Sequence, residues 1–215
     1  MVRAVVIMSG GPDSVTVAYW AKRKGYEIHG ITFNYGQIAS KETMYAKKIA
    51  EKLGIDIKEV DISSLEAIFK GVTALCDKSI PVSSEFERSI IVPFRNGIFL
   101  SIAVAYAISV GAQYVFYGAH ASDSPFYPDC RGEFIRAFER AAKLGTEEDI
   151  SILAPFQDMQ KHEILRLGVE LGVPYELTWS CYLDGEKHCG RCESCRNRKK
   201  AFKEAGIRDP TEYEE

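Results

Sequence analysis

A short apolar, β-branched run, Arg3-Ala4-Val5-Val6-Ile7-Met8, breaks at Ser9-Gly10-Gly11-Pro12-Asp13-Ser14 and is followed by a stretch of helical character over residues 14–24. Strands that are apolar at nearly every position are covered on both faces, which is the environment of a parallel sheet. A glycine-rich turn leading directly into a helix is then the joint of a βα unit, and parallel strands oblige the chain to return by crossover connections. The turn also collects polar groups. Glycines let a ligand approach the backbone, while Ser14 and the unpaired N–H groups of the first helical turn offer donors at a positive dipole end. It reads either as an anion cradle or as a plain turn in which Asp13 or Ser14 caps the helix. The Walker arrangement is excluded because its lysine is missing, and the dinucleotide fingerprint fails as well.

The alternation continues. Residues 27–34 form a second expected strand (Ile28, Ile31, Phe33), residues 40–53 an amphipathic helix (Tyr45, Ala46, Ile49, Ala50, Leu53) stopped by Gly54, and residues 55–60 a third strand. Residues 65–88 mix charges with Gly71 and Pro81 and read as a short helix and a mobile loop. Residues 96–110 are apolar nearly all round and predict a buried helix. Beyond them come a strand at 113–117, a polar loop at 118–131, a helix at 132–144, a strand at 152–154 and a helix at 160–171. The expected fold is α/β: a doubly wound, five-stranded, mainly parallel sheet with helices on both faces, binding ligands beyond the carboxyl ends of its strands. A length of 215 residues suits one nucleotide-binding domain, residues 1–175, with a small C-terminal segment, residues 176–215. The formal net charge of -3 argues against a wholesale electrostatic grip on nucleic acid. No apolar run reaches bilayer length and the chain enters a strand without a leader, so no membrane contact and a cytoplasmic location are expected.

Four of six cysteines, Cys181, Cys189, Cys192 and Cys195, are spaced C-x7-C-x2-C-x2-C in a polar segment. One distant and three close thiolates can close a tetrahedral site around Zn2+, with Gly185 and Gly190 permitting tight turns. An iron-sulfur cluster lacks the next ligand of the ferredoxin pattern, and a redox dithiol would leave two cysteines unexplained. His188 is expected at the surface or behind the ligands. The basic stretch Arg191, Arg196, Arg198, Lys199, Lys200 and Lys203 reads as a solvated helix face, or as a nucleic-acid patch whose case the nearby Glu212, Glu214 and Glu215 weaken.

The string Ser-Gly-Gly-x-Asp-Ser after a first strand resembles the pyrophosphate loop of the ATP pyrophosphatase superfamily. Further motifs sharpen this: Thr32-Phe33-Asn34-Tyr35-Gly36-Gln37, Val92-Pro93-Phe94-Arg95-Asn96, Gly118-Ala119-His120, Asp123, Tyr127-Pro128-Asp129-Cys130-Arg131, Lys161-His162-Glu163-Ile164, and Trp179-Ser180-Cys181-Tyr182 ahead of the cysteines. In this order they resemble, nearly end to end, the 7-cyano-7-deazaguanine synthases of queuosine and archaeosine biosynthesis. Phe94 and Asn34 depart from the family pattern, where glycine and aspartate are common.

The resemblance implies an ATP-dependent ligase that turns 7-carboxy-7-deazaguanine and ammonia into the nitrile through adenylated acid and amide. It also implies Mg2+, one structural Zn2+ and a homodimer. Asp13, Ser14 and Lys161 are the implied catalytic residues. ATP is assigned to Met8, Ser9, Gly10, Gly11, Pro12, Asp13, Ser14, Val15, Thr16, Val17, Ala18 and Lys161. The deazapurine is assigned to Arg95, Asn96, Gly118, His120, Asp123, Tyr127, Asp129 and Arg131. By its own chemistry Lys161 is either a phosphate contact or a surface lysine, and Asp123 and Asp129 either accept from a guanine-like edge or form turns. Cys130 has no evident base and is not expected to act as a nucleophile. Two other functions stay open: a tRNA thiolase of the same superfamily, and a non-catalytic ATP-binding module with a zinc ribbon.

Overall fold

A computed structural model describes residues 1–214. Five strands, β1 (Arg3–Ile7), β2 (Glu27–Asn34), β3 (Asp56–Asp61), β4 (Tyr114–Phe116) and β5 (Ser151–Leu153), pair in the order β3-β2-β1-β4-β5. Every pairing is parallel, beginning with Arg3 opposite Glu27 and Ala4 opposite Tyr114. The helices are α1 (Pro12–Arg23), α2 (Lys41–Leu53), the single turn α3 (Glu66–Phe69), α4 (Arg95–Ser109), α5 (Gly132–Thr146), α6 (Lys161–Leu171) and α7 (Glu193–Ala205). β1 lies at the centre and is buried from Ala4 onward. Its residues alternate between two cores, as the two-residue repeat of a strand requires. Val5 and Ile7 face the α4 and α5 side, with Phe99, Leu100, Ala103 and Ile135. Ala4, Val6 and Met8 face the other side, with Val15, Ile49, Ile164 and Phe202 from α1, α2, α6 and α7.

Winding goes from β1 outward to β3, then reverses to β4 on the other side of β1. That reversal opens a crevice beyond the carboxyl ends of β1 and β4, where ligands of doubly wound sheets bind. The element order follows the sequence expectation, with two differences. Within residues 65–88, expected as a short helix and a mobile loop, the helix is α3 and the loop after it is anchored at Thr73, Ala74 and Leu75. Thr73 and Ala74 are fully buried, the Ala74 N–H donates to the Ser89 carbonyl at 2.7 Å, and the Ile38 N–H to the Leu75 carbonyl at 2.8 Å. The second difference is Arg198, expected on a solvated face but 1% exposed. Its guanidinium reaches Asp209 (3.1 Å), Thr178 Oγ1 (2.8 Å), Ser180 Oγ (3.1 Å) and the Tyr175 carbonyl (3.1 Å). One planar fork thereby ties α7 to the chain that leaves α6.

Among the described residues, Arg88–Ser109 is the one segment long and apolar enough to cross a membrane by composition. Its α-helical part, α4, has 15 residues, fewer than the roughly 20 a span needs. α4 buries Gly97, Phe99, Leu100, Ala103, Val104 and Ala107. Phe94, just before it, has φ 56°, a left-handed conformation that favours glycine, which explains why glycine suits this place.

Arg198→Ala should lower unfolding stability by roughly 3–5 kcal/mol, because it strands Asp209 and three polar partners in a buried setting. Chemical denaturation measures this. Arg198→Lys should recover only part, since a point charge cannot reproduce the fork.

Candidate active site

The loop between β1 and α1 is shaped by what it cannot accommodate. Gly10 has φ 80°, and a Cβ there would sit 2.4 Å from the Glu42 carbonyl oxygen. Its own carbonyl accepts the Trp179 N–H at 2.9 Å, joining the loop to the cysteine-bearing segment. Ser14 Oγ accepts the Ser9 N–H at 3.1 Å and donates to the Gly11 carbonyl at 3.1 Å, so this hydroxyl closes the loop. The N-cap of α1 is Gly11, with no side-chain cap. Neither Asp13 nor Ser14 therefore caps the helix, and the free end of its dipole is left for an anion.

Asp13 lies in the first turn of α1 with Lys161 Nζ 2.9 Å from its Oδ2. Lys161 is placed by local chemistry at the start of α6. Gln160 and Glu163 form a reciprocal capping box, and the Lys161 N–H donates to Ser122 Oγ at 3.0 Å. His120, fully buried just past β4, brings Nε2 to 3.6 Å from Asp13 Oδ2 and 3.3 Å from Asp123 Oδ2. Burial alone would raise the Asp13 carboxyl, but Lys161 and His120 hold it well below the usual carboxylate range. Lys161, in turn, is desolvated yet kept charged by Asp13 and Asp123, which raise its pKa. Asp13 Oδ1 is buried with no hydrogen-bond partner. An ionised carboxylate with one free oxygen beside an anion cradle fits a hard divalent cation such as Mg2+.

A cavity of about 780 Å3 opens over this group. Met8, Ser9, Gly11, Pro12, Asp13, Ser14 and Lys161 line it together with Arg95, Asn96, Gly118, Asp123, Tyr127 and Asp129. Gly118 is close enough to the loop that a Cβ would lie 3.1 Å from the Ser14 nitrogen. Other residues of the expected site lie elsewhere. Gly10 turns against α2, and Val15, Thr16, Val17 and Ala18 are buried in α1, where Thr16 Oγ1 bonds the Pro12 carbonyl at 2.8 Å. His120 stands behind Asp13 and Asp123. Arg131 is exposed, gives its Nε to the Ser124 carbonyl at 3.0 Å, and is not part of the cavity wall.

Asp129 Oδ2 accepts the Asn96 N–H at 3.0 Å, so it serves the N-terminus of α4. Arg95 is held under Tyr35, with Nη1 3.2 Å from the phenol oxygen. Burial pushes the Cys130 thiol up, and the nearby Asp123 and Asp129 push it further, which leaves it a protonated and poor nucleophile. Sequence reading missed several wall residues. Phe86 and Phe126 come from separate loops and meet with ring centroids 4.6 Å apart, forming an aromatic wall. Glu42 and Glu193 sit in first helical turns, where an acid reads as a dipole complement and carries no separate signal.

The four cysteine sulfurs lie within 4.8 Å of one another and all four residues are buried, with no disulfide. A tetrahedron with Zn–S bonds of about 2.3 Å has edges of about 3.8 Å, so the set fits one such ion. Backbone N–H groups of Cys189 and Leu183 point at the Cys181 sulfur at 3.4 Å, and that of Cys192 at the Cys189 sulfur at 3.3 Å, which suits thiolates. His188 is buried, not at the surface: Nε2 accepts the Ser180 N–H at 3.0 Å, and its ring packs 4.2 Å from Trp179.

A family model described as Queuosine biosynthesis protein QueC matches residues 3–206. A 7-cyano-7-deazaguanine synthase of Caldicellulosiruptor bescii is 48% identical over 99% of this chain and 97% of its own length. One from Thermoplasma acidophilum is 48% identical over 99% and 92%. Among solved structures, a 4-thiouridine synthetase–RNA complex with bound ATP has a TM-score of 0.58 at 19% identity, covering 95% of this chain and 50% of that one. NMN synthetase from Francisella tularensis has a TM-score of 0.55 at 17% identity, covering 96% and 77%. Likeness at this identity speaks to the fold.

Lys161→Met should let burial prevail at Asp13, so that its carboxyl pKa climbs, as read by side-chain carbon NMR titration of the folded protein. Metal analysis should give one zinc per chain and no visible iron absorbance. Cys192→Ser should weaken that binding and lower thermal stability, since the metal's binding energy is folding energy.

Proposed function

The chain belongs to the 7-cyano-7-deazaguanine synthase family, and on that premise we propose that its cavity joins 7-carboxy-7-deazaguanine to ammonia and dehydrates the resulting amide, consuming two ATP. The enzyme is then a ligase of the C–N-forming class. A carboxylate is a poor electrophile, and its oxygen becomes a good leaving group once it carries AMP. Ammonia displaces that AMP to give an amide. Adenylation of the amide oxygen, followed by loss of a second AMP, gives the nitrile.

The observation that carries the reading is the conjunction at one crevice of an uncapped helix end, a loop that admits no Cβ at Gly10, and the Asp13–Lys161 pair. The N–H groups of Asp13 and Ser14 would hold the departing pyrophosphate, and Lys161 would balance charge as it leaves. Asp13 Oδ1 is the atom we assign to Mg2+, which when bound would neutralise phosphate charge. Asp13, Ser14 and Lys161 are the catalytic group. The deazapurine would lie between Phe86, Phe126 and Tyr127, with Arg95 and Asp123 toward its polar edge. Within this reading, residues 1–175 carry the chemistry and residues 176–215, around Zn2+, brace the loop through Trp179. We also propose that the enzyme works as a cytoplasmic homodimer on free ammonia, without direct nucleic-acid or membrane contact.

The thiolase alternative needs cysteines free to carry sulfur. The four clustered ones are mutually engaged, and the buried Cys76 thiol is pushed up to about 11 by desolvation.

Purified protein with ATP, Mg2+, ammonium and 7-carboxy-7-deazaguanine should release AMP, pyrophosphate and the nitrile, followed by mass spectrometry. No substrate-dependent turnover from folded protein would refute the reaction, and ADP in place of AMP would refute adenylation. Asp13→Ala and Ser14→Ala should keep the fold by circular dichroism and lose about 100-fold or more in kcat. Wild-type rates in both would reduce the loop to a turn.

A further inference from the structure

Beside the main cavity lies a second, much smaller chamber of about 20 Å3, walled by Tyr35, Gln37, Ala39, Glu42, Leu75, Arg95 and Tyr182. Five of these seven, Tyr35, Glu42, Leu75, Arg95 and Tyr182, also line the main cavity, so the chamber adjoins the reaction space. Its volume is about that of one water-sized molecule. The deazapurine and ATP are far too large for it. Ammonia is not.

We propose that this chamber receives the ammonia nitrogen and that Glu42 takes a proton from ammonium there, delivering neutral ammonia to the adjoining acyl adenylate. The inference rests on the adenylation reading above and assigns a site within it. At neutral pH ammonia is present almost entirely as ammonium, which has no lone pair to attack a carbonyl. Some group must accept its proton close to the electrophile. Glu42 is the one carboxylate in the chamber wall, and so the group there that can accept the proton.

The surroundings suit that task. Desolvation pushes the Glu42 carboxyl up to about 7, with the Arg95 guanidinium pulling it the other way. A base poised near neutrality is effective at accepting a proton and at returning it to solvent. The other titratable groups around it stay uncharged there. Tyr35, just past β2, and Tyr182, in the cysteine segment, are both raised by burial. Cys76, in the packed loop, is pushed up to about 11 by burial. Arg95, on α4, stays charged, its pKa raised by Tyr35 and Glu42 against its desolvation. This fixed cation disfavours a second cation once Glu42 is neutralised, so the nitrogen is released as ammonia.

The step balances. Ammonium gives one proton to the Glu42 carboxylate, leaving ammonia and a carboxylic acid. The ammonia lone pair forms the C–N bond while the C–O bond to AMP breaks, its electron pair leaving on the AMP phosphate oxygen. The proton shed by the new amide nitrogen goes to that phosphate, and Glu42 returns its proton to water in the main cavity.

The test compares wild type with E42Q on two nucleophiles, ammonium and hydroxylamine, the latter uncharged at neutral pH. Substrate-dependent ATP–pyrophosphate exchange is measured alongside. E42Q should retain the exchange, lose about 100-fold in kcat/KM for ammonium, and use hydroxylamine as well as wild type does. Wild-type kcat/KM for total ammonium should rise through pH 7 and level off. That of E42Q should keep climbing with the fraction of free ammonia. Equal losses on both nucleophiles, or an unchanged ammonium profile in E42Q, would overturn the assignment. Absence of exchange in the wild type has a different signature and would overturn the adenylation reading itself, and the chamber's role with it.

Discussion

At Gly10 three parts of the chain meet without room for a methyl group. The residue lies in the loop after the central strand in a left-handed conformation, a Cβ on it would meet the Glu42 carbonyl oxygen in the first turn of α2, and its own carbonyl takes the Trp179 N–H from the cysteine-bearing segment. This contact ties the loop to α2 and to the cysteine-bearing segment. The loop cannot relax toward a capped turn, because the Ser14 hydroxyl is spent inside it and α1 begins at Pro12 with no side chain over its end. Asp13 is then held in the first turn, facing Lys161 from α6. The pair is costly to bury in isolation. It is supported by His120 behind it and by the capping box that sets where α6 starts.

The C-terminal segment extends the same logic. A polar run of this kind has little apolar area with which to hold a shape, and four convergent sulfurs supply the missing constraint. Arg198 supplies a second, fixing α7 to residues 175–180 from within. Through Trp179 the rigidity reaches the loop, and through Glu193 and Tyr182 it reaches the cavity wall, where the phenol donates to the glutamate at 2.9 Å. The four-cysteine cluster is thus continuous in structure with the cavity wall.

What could be read in the sequence was whatever depends on local pattern. The apolar run of β1, the Ser-Gly-Gly-x-Asp-Ser turn and the cysteine spacing each carry their meaning within a few residues, and the βα alternation follows from them. The place of Lys161 at the head of a periodic helix is legible, but its pairing with Asp13 is not. The rest depends on distant partners. Arg198 looks like one more cation in a basic run, and only Asp209, Thr178, Ser180 and the Tyr175 carbonyl make it a buried one. Residues 70–90 lack any period, yet Ala74 and Leu75 are fixed by bonds to Ser89 and Ile38. Glu42 reads as an ordinary first-turn acid until the fold brings Tyr35, Arg95 and Tyr182 around it. Arg131 carries a motif position but turns to Ser124, away from the cavity.

In the proposed reaction the substrate's own oxygen leaves on AMP at this crevice, twice. Turnover of 7-carboxy-7-deazaguanine labelled with oxygen-18 in both carboxylate positions measures that transfer directly, by mass spectrometry of the nucleotide products. Every AMP formed should carry one labelled oxygen, from the acid in the first step and from the amide in the second. Unlabelled AMP, or label recovered in pyrophosphate or inorganic phosphate, would contradict it.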